Sequence, residues 1–426
     1  MNTPTDTTNP LLKVLTIRDF RLLFAGTATS LLGDQLTLIA TPWLVLQLTG
    51  DPLVLGIVLA LEGAPRAMFM LFGGAITDRF SPRIILLISD IIRLVLAVLM
   101  AIVIFSGTVQ LWMLYAFGLG FGLVAGFAVP AGNSIVPMVV EEKDLEAGNS
   151  IVMGGGQLIG FVGPVVAGIL IGSFSGSLFG VGLAIAIDAA TYAISAIMLW
   201  LMRSGGTLSS LANIEDKETI WESILSGLKY VWDDTALRLM FLVIVAINFL
   251  FVGPILVGIP VLSDQRLAEG AMAFGLLMSA FAGGNLGGYL VAGSLPKPSG
   301  KIMRILLITL LTSFGIATAL MGFINSTWID FGIMLLLGVG NGYITIILFT
   351  WIQTQTPKTM LGRIMSLVTF SSVGLVPVSQ AISGVVSTWS LTLLFISAGS
   401  LIILMTTWTA AQPGLTAFSQ SLSTGD

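Results

Sequence analysis

The chain contains neither cysteine nor histidine. Without cysteine there is no disulfide, no thiolate nucleophile and no cysteine-based metal site. Without histidine, the commonest metal ligand and the usual switch near neutral pH are gone as well. Charge is scarce: 9% of the 426 residues are Asp, Glu, Lys or Arg, against about 25% in soluble domains. No Walker A run is present, so nothing predicts a phosphate cradle for ATP. No nucleophile–base pair, metal-ligand set, cofactor motif or nucleic-acid-binding run stands out. The opening MNTPTDTTNP has no apolar core and does not read as a signal peptide. Any proton chemistry therefore falls to carboxylates.

Apolar sequence is abundant. Hydrophobic residues make up 55% of the chain, and the mean hydropathy is +1.00. Apolar runs long enough to cross a bilayer fall at 22–48, 53–77, 84–106, 110–137, 148–172, 178–202, 237–262, 271–293, 302–324, 328–352, 364–386 and 389–411. Twelve spans predict an all-α membrane protein. If the N-terminus is cytoplasmic, fifteen of the eighteen Lys and Arg lie on that side, Arg266 lies opposite, and Arg66 and Arg93 lie within spans. This bias predicts both termini inside.

The chain also reads as two copies. GGAITDRFSPRIILLI follows span two from Gly73, and GGYLVAGSLPKPSGKIMRILLI follows span eight from Gly287. Each is a glycine pair, a turn with proline and basic residues, and a new apolar run. The predicted organisation is an N-terminal six-helix half over 1–202, a linker over 203–236 and a C-terminal half over 237–426. Within the linker, Ile220, Trp221, Ile224, Leu225, Leu228, Val231 and Trp232 form a helical stripe, predicting an amphipathic helix on the inner membrane surface or against the bundle. A six-plus-six repeat is a transporter plan, with the site between the halves.

These motifs resemble the major facilitator superfamily. In GGAITDRFSPR, residues Gly74, Asp78, Arg79 and Arg83 keep the family's order between spans two and three, although Ser81-Pro82 departs from it. In span five, GQLIGFVGPVVAG is similar to the antiporter signature through Gly156, Gly160, Gly163, Pro164 and Gly168, with Ala167 in place of a glycine. The arginine usual in span four is absent. RDFRLLFAGTATSLLGDQLTLIATPWLVLQLTG, IDAATYAISA and GRIMSL resemble the bacterial efflux branch that includes macrolide and enterobactin exporters. The resemblance implies a major facilitator fold of twelve helices around a central cavity. It also implies a cytoplasmic gate in which Asp78 latches onto span eleven near Arg363.

Ionisable residues inside spans are functional candidates. Six are predicted, all in the N-terminal half: Asp34, Glu62, Arg66, Asp90, Arg93 and Asp188. Asp34, near the middle of span one, is the expected proton site. Glu62 and Arg66 stand four apart on one helix and are expected to pair, with Arg66 alternating between Glu62 and Asp34. Asp90 and Arg93 are expected to pair locally, and Asp188 to play a structural part. Well inside its spans the C-terminal half is expected to offer only neutral polar groups, among them Asn248, Asn285, Asn341 and Gln380. Aromatic candidates for an apolar cavity are Trp43, Phe127, Phe249, Phe251, Tyr343, Phe349 and Trp351, with Asn248 and Asn341 as polar anchors. The expected function is proton-coupled export of amphipathic, drug-like small molecules by a monomer with alternating access in a bacterial inner membrane, its partners being protons and lipids. A lipid or lysophospholipid translocator, a siderophore exporter, and a channel or receptor are the competing readings.

Overall fold

The computed structural model describes residues 10–77, 80–174, 176–203, 220–296 and 298–422. The helices in chain order are α1 (Pro10–Thr16), α2 (Arg18–Thr49), α3 (Pro52–Thr77), α4 (Pro82–Phe105), α5 (Leu111–Ile135), α6 (Leu145–Gly172), α7 (Phe179–Leu201), α8 (Ile220–Asp233), α9 (Thr235–Ile247), α10 (Gly253–Gln265), α11 (Ala271–Ser294), α12 (Gly300–Met321), α13 (Thr327–Gln355), α14 (Lys358–Val373), α15 (Val376–Trp389), α16 (Leu391–Ala411) and α17 (Pro413–Ser421). Among the described residues, twelve helical segments are long and apolar enough to cross a membrane. The seventh joins α9 and α10 through a π turn at Asn248–Val252, and the eleventh joins α14 and α15.

Helix α4 shows why these segments are helices in lipid. Ile84, Ile88, Ile91, Val95, Leu99 and Ile102 are exposed along one side, while Ser89, Asp90, Ala97 and Ala101 are buried on the other. This reverses the soluble pattern. A lipid-facing surface accepts large apolar side chains, and the backbone closes its hydrogen bonds within the segment.

By packing, the chain forms two units whose limits differ from the sequence halves. The first runs to Thr41 and resumes at Pro65. The second takes Pro42–Ala64 together with the chain from α8 onward. Both crossings fall at a proline inside a helix, Pro42 in α2 and Pro65 in α3. Proline lacks the N–H that continues the ladder, so each is a natural bend.

At one end of the first unit, Val14, Phe20 and Leu23 pack with Ile135, Val140, Leu199 and Met202. The Lys13–Asp144 ion pair at 3.0 Å ties α1 to the start of α6. In the second unit, Met240, Val243, Leu307, Leu348, Trp351, Ile364 and Phe418 form the core. The amphipathic linker helix is present as α8. It lies on α14, where Arg363 donates to Ser226 Oγ at 2.8 Å.

Candidate functional site

The first unit gathers its buried charges between α2, α4 and α7. Gly33 makes the approach possible. A Cβ there would lie 2.1 Å from Thr191 Oγ1 and 2.2 Å from Asp188 Oδ1. On the next residue, Asp34 accepts a hydrogen bond from the Tyr192 hydroxyl at 2.5 Å. Asp188 is fully buried and accepts from Thr37 at 2.5 Å and from Thr191 at 3.2 Å. Asp90, also buried, lies beside Ser195. The Arg93 guanidinium lies 5.7 Å from the centre of the Tyr192 ring, a cation–π distance. Asp34, Asp90 and Asp188 all act electrostatically on Arg93. Four of the six expected charges therefore form one cluster of three carboxylates and one cation.

Two sequence expectations differ from this arrangement. The ion pairs among the described residues are Lys13–Asp144, Arg18–Asp19 and Lys143–Glu141. Neither the Glu62–Arg66 pair nor the Asp90–Arg93 pair is among them. Arg93 instead lies over the Tyr192 ring. Tyr192 itself was not a candidate, although it stands four residues after Asp188 on one helix face.

Of the residues implied by resemblance, Asp78 and Arg79 lie outside the described residues. Gly74 is in the last turn of α3. Arg83 donates to the Leu199 and Trp200 carbonyls at 2.7 and 2.8 Å, capping the C-terminal end of α7. In α6, a Cβ at Gly163 would meet Gln35 at 2.5 Å, Gly156 has only an ordinary neighbour in Leu31, and Gly160 faces open space. Pro164, Ala167 and Gly168 are buried.

The second unit holds a cavity of about 290 Å³ lined by Ile247, Asn248, Tyr289, Phe314, Asn341, Thr345, Phe349 and Ser372, among others, with no charged residue in its lining. Asn341 donates to Asn285 at 2.8 Å, which fixes its amide. Asn248 opens the π turn, a distortion frequent at functional sites, and donates to the Ile244 carbonyl. The Phe249 carbonyl accepts from Ser379. Phe251 stands behind the cavity wall, 5.0 Å edge-on to Phe314. Trp351 packs edge-on to Phe418 and donates to Ser421, which makes it a core residue. Tyr343 lines a separate crevice with Met303 and Phe418. In the first unit Phe127 packs on Phe69. Trp43 rests against Gly270, whose positive φ of 53° suits glycine.

The expectation that buried charge is confined to the N-terminal half is corrected by Asp330. It is fully buried in the first turn of α13, and neither carboxylate oxygen has a hydrogen-bond partner. It lies inside the predicted span 328–352, as its third residue, yet is not among the six ionisable residues expected within spans. Burying an ionised carboxylate this way costs several kcal/mol, while a helix N-terminus returns about 0.3–1 kcal/mol.

A sequence model of the Major Facilitator Superfamily matches residues 23–379. The chain belongs to the major facilitator superfamily. Its relatives are transporters, not enzymes. It is 26% identical over 370 residues to the multidrug efflux pump Tap of Mycolicibacterium fortuitum, covering 84% of each chain. It is 24% identical over 360 residues to the enterobactin exporter EntS of Shigella flexneri, covering 83% of this chain and 81% of that one. Among solved structures, a nucleoside transporter NupG variant superposes with a TM-score of 0.72 at 12% identity, covering 95% of this chain and 99% of that one. A bacterial homologue of the human lysosomal transporter Spinster gives 0.66 at 14% identity, covering 98% of both chains. At these identities the structures show a shared fold; the family match and the twelve apolar helices make this a multi-pass membrane protein.

Proposed function

We propose that this facilitator exports amphipathic small molecules from a bacterial cell in exchange for protons, by alternating access. The observation that carries the reading is the Asp34 cluster: one carboxylate near the middle of α2, hydrogen-bonded by Tyr192, with Arg93 as the cation acting on it. Three carboxylates around one guanidinium cannot all stay ionised cheaply in a low-dielectric interior, so gaining and losing a proton is the natural chemistry of this group. Asp34 is the coupling carboxylate. Arg93, over the Tyr192 ring, takes the part expected of Arg66.

The uncharged cavity of the second unit suits the apolar body of a substrate, with Asn248 and Asn341 as hydrogen-bonding anchors. The similarity to Tap favours drug-like compounds. The similarity to EntS supports a second reading, export of a siderophore. The Lys and Arg bias supports cytoplasmic termini.

The test is accumulation of fluorescent amphipathic drugs in an efflux-deficient bacterial host, with and without a protonophore. Expression should lower accumulation, and the protonophore should abolish the difference. Export that persists undiminished after the proton gradient collapses would overturn proton coupling.

A further inference from the structure

We propose that Asp330 is a proton-binding site in its own right, separate from the Asp34 cluster, and that its proton decides where Arg266 sits. Three observations carry this. Asp330 is fully buried, and both of its carboxylate oxygens lack a hydrogen-bond partner among the described residues. The cation that acts on it, Arg266, is turned to other partners: its guanidinium donates to the Gly322 carbonyl and to Thr392 Oγ1, both at 2.7 Å. The other acid nearby, Glu269, accepts from the Thr327 hydroxyl, one helical turn before Asp330.

One further charge lies at this end: Asp264, in the last turn of α10, is exposed and accepts a hydrogen bond from Gln47 at 2.8 Å. Arg266 and Glu269 both belong to the connection between α10 and α11. Helix α11 has no charged residue, and the charges of α12, Lys301 and Arg304, are at its opposite end. A buried carboxylate left with neither an ion pair nor a hydrogen bond is stable only as the neutral acid, because the α13 terminus offsets little of its desolvation. In this arrangement Asp330 therefore holds a proton.

Loss of that proton creates a buried charge whose available counter-ion is Arg266. To reach it, Arg266 must leave Gly322, which caps α12, and Thr392, at the start of α16. Thr392 also donates to the Gly322 carbonyl at 2.9 Å, so the three groups form one knot joining the ends of α10, α12 and α16. Proton binding at Asp330 keeps the knot tied, and release transfers Arg266 from the knot to Asp330. The site does not depend on which substrate the protein carries.

Isotope-edited infrared spectroscopy of the full chain in lipid nanodiscs reads the proton directly. At neutral pH the protonated-carboxyl absorption of the unaltered protein should contain a component that is lost in Asp330→Asn and retained in Asp34→Asn, beside any contribution from the Asp34 cluster. Spectra of Asp330→Asn identical to those of the unaltered protein would overturn the assignment. Stability gives an independent reading. Asparagine mimics the neutral acid, so Asp330→Asn should insert and melt as the unaltered protein does. Failure to fold would mean that an ionised carboxylate is required there, served by water or a cation, and would also overturn it. Spin labels at Ala268 and Asn325, both on exposed loops, report the knot. Raising the pH until the Asp330 band is lost should lengthen their separation, and in Asp330→Asn the separation should not depend on pH. A pH-dependent separation that survives in Asp330→Asn would detach Arg266 from the proton.

Discussion

The Tyr192 hydroxyl donates to the Asp34 carboxylate at 2.5 Å, joining α7 to the middle of α2 through one phenol. A hydrogen bond to a charged group is worth about 1.5–3 kcal/mol. Tyr192→Phe keeps the ring on which Arg93 rests and removes only that bond. Gradient-driven export should fall by about tenfold or more, while drug affinity without a gradient should stay unchanged. Transport and equilibrium binding on the same purified variant check this, and equal losses in both would contradict it.

Asp34→Asn should abolish gradient-driven export and leave the protein inserted and folded, because the amide still fits the Tyr192 hydroxyl. Counterflow, which needs no gradient, should persist. Proton-gradient-dependent export in the Asn variant would remove Asp34 from the coupling step.

Arg93→Gln and Arg66→Gln separate the two candidate cations. The first should uncouple export from the proton gradient, and the second should leave coupling intact. Vesicle assays with an imposed pH step distinguish them. A coupled Arg93→Gln variant beside an uncoupled Arg66→Gln variant would restore the assignment made from sequence.

Gly33→Ala should lower stability by about 1–3 kcal/mol, as overpacking of a filled site does. The added methyl falls on the Thr191 and Asp188 oxygens, which are already engaged in hydrogen bonds. Gly160→Ala, made where a Cβ meets nothing within 4 Å, should stay within about 0.5 kcal/mol. Thermal unfolding in detergent compares the two, and equal effects would show that the α2–α7 approach is not the constraint.

The twelve spans were legible because hydrocarbon demands long apolar helices, and composition records that demand directly. The linker helix was legible from its apolar stripe. The charged cluster was legible one residue at a time and not as a cluster. Asp34, Asp90, Arg93 and Asp188 each stand out inside an apolar run, but which of them meet depends on the register of α2 against α4 and α7. That register is fixed by close approaches such as Gly33 against Thr191, which no single segment contains. The pairing of Glu62 with Arg66 was read from helix spacing alone. Asp330 was missed although it falls inside the predicted span 328–352, because a carboxylate so near the rim of a span gives no sign of whether it meets water. Only packing distinguishes a wet helix end from a dry one.

The segment Pro42–Ala64 is encoded in the first half of the chain and packed with the second. Its Gly56 is so close to α15 that a Cβ would lie 2.6 Å from the Gln380 carbonyl and 2.9 Å from Gly384. The half read from sequence and the unit formed by packing are therefore not the same. Severing the polypeptide in its linker would yield one fragment with an unhoused wedge and another with an empty slot. Neither is a finished body, and each fragment's missing surface is carried by the other. Reassembly of the severed protein should depend on that borrowed wedge, and copies of the N-terminal fragment without their partner have no slot to receive it.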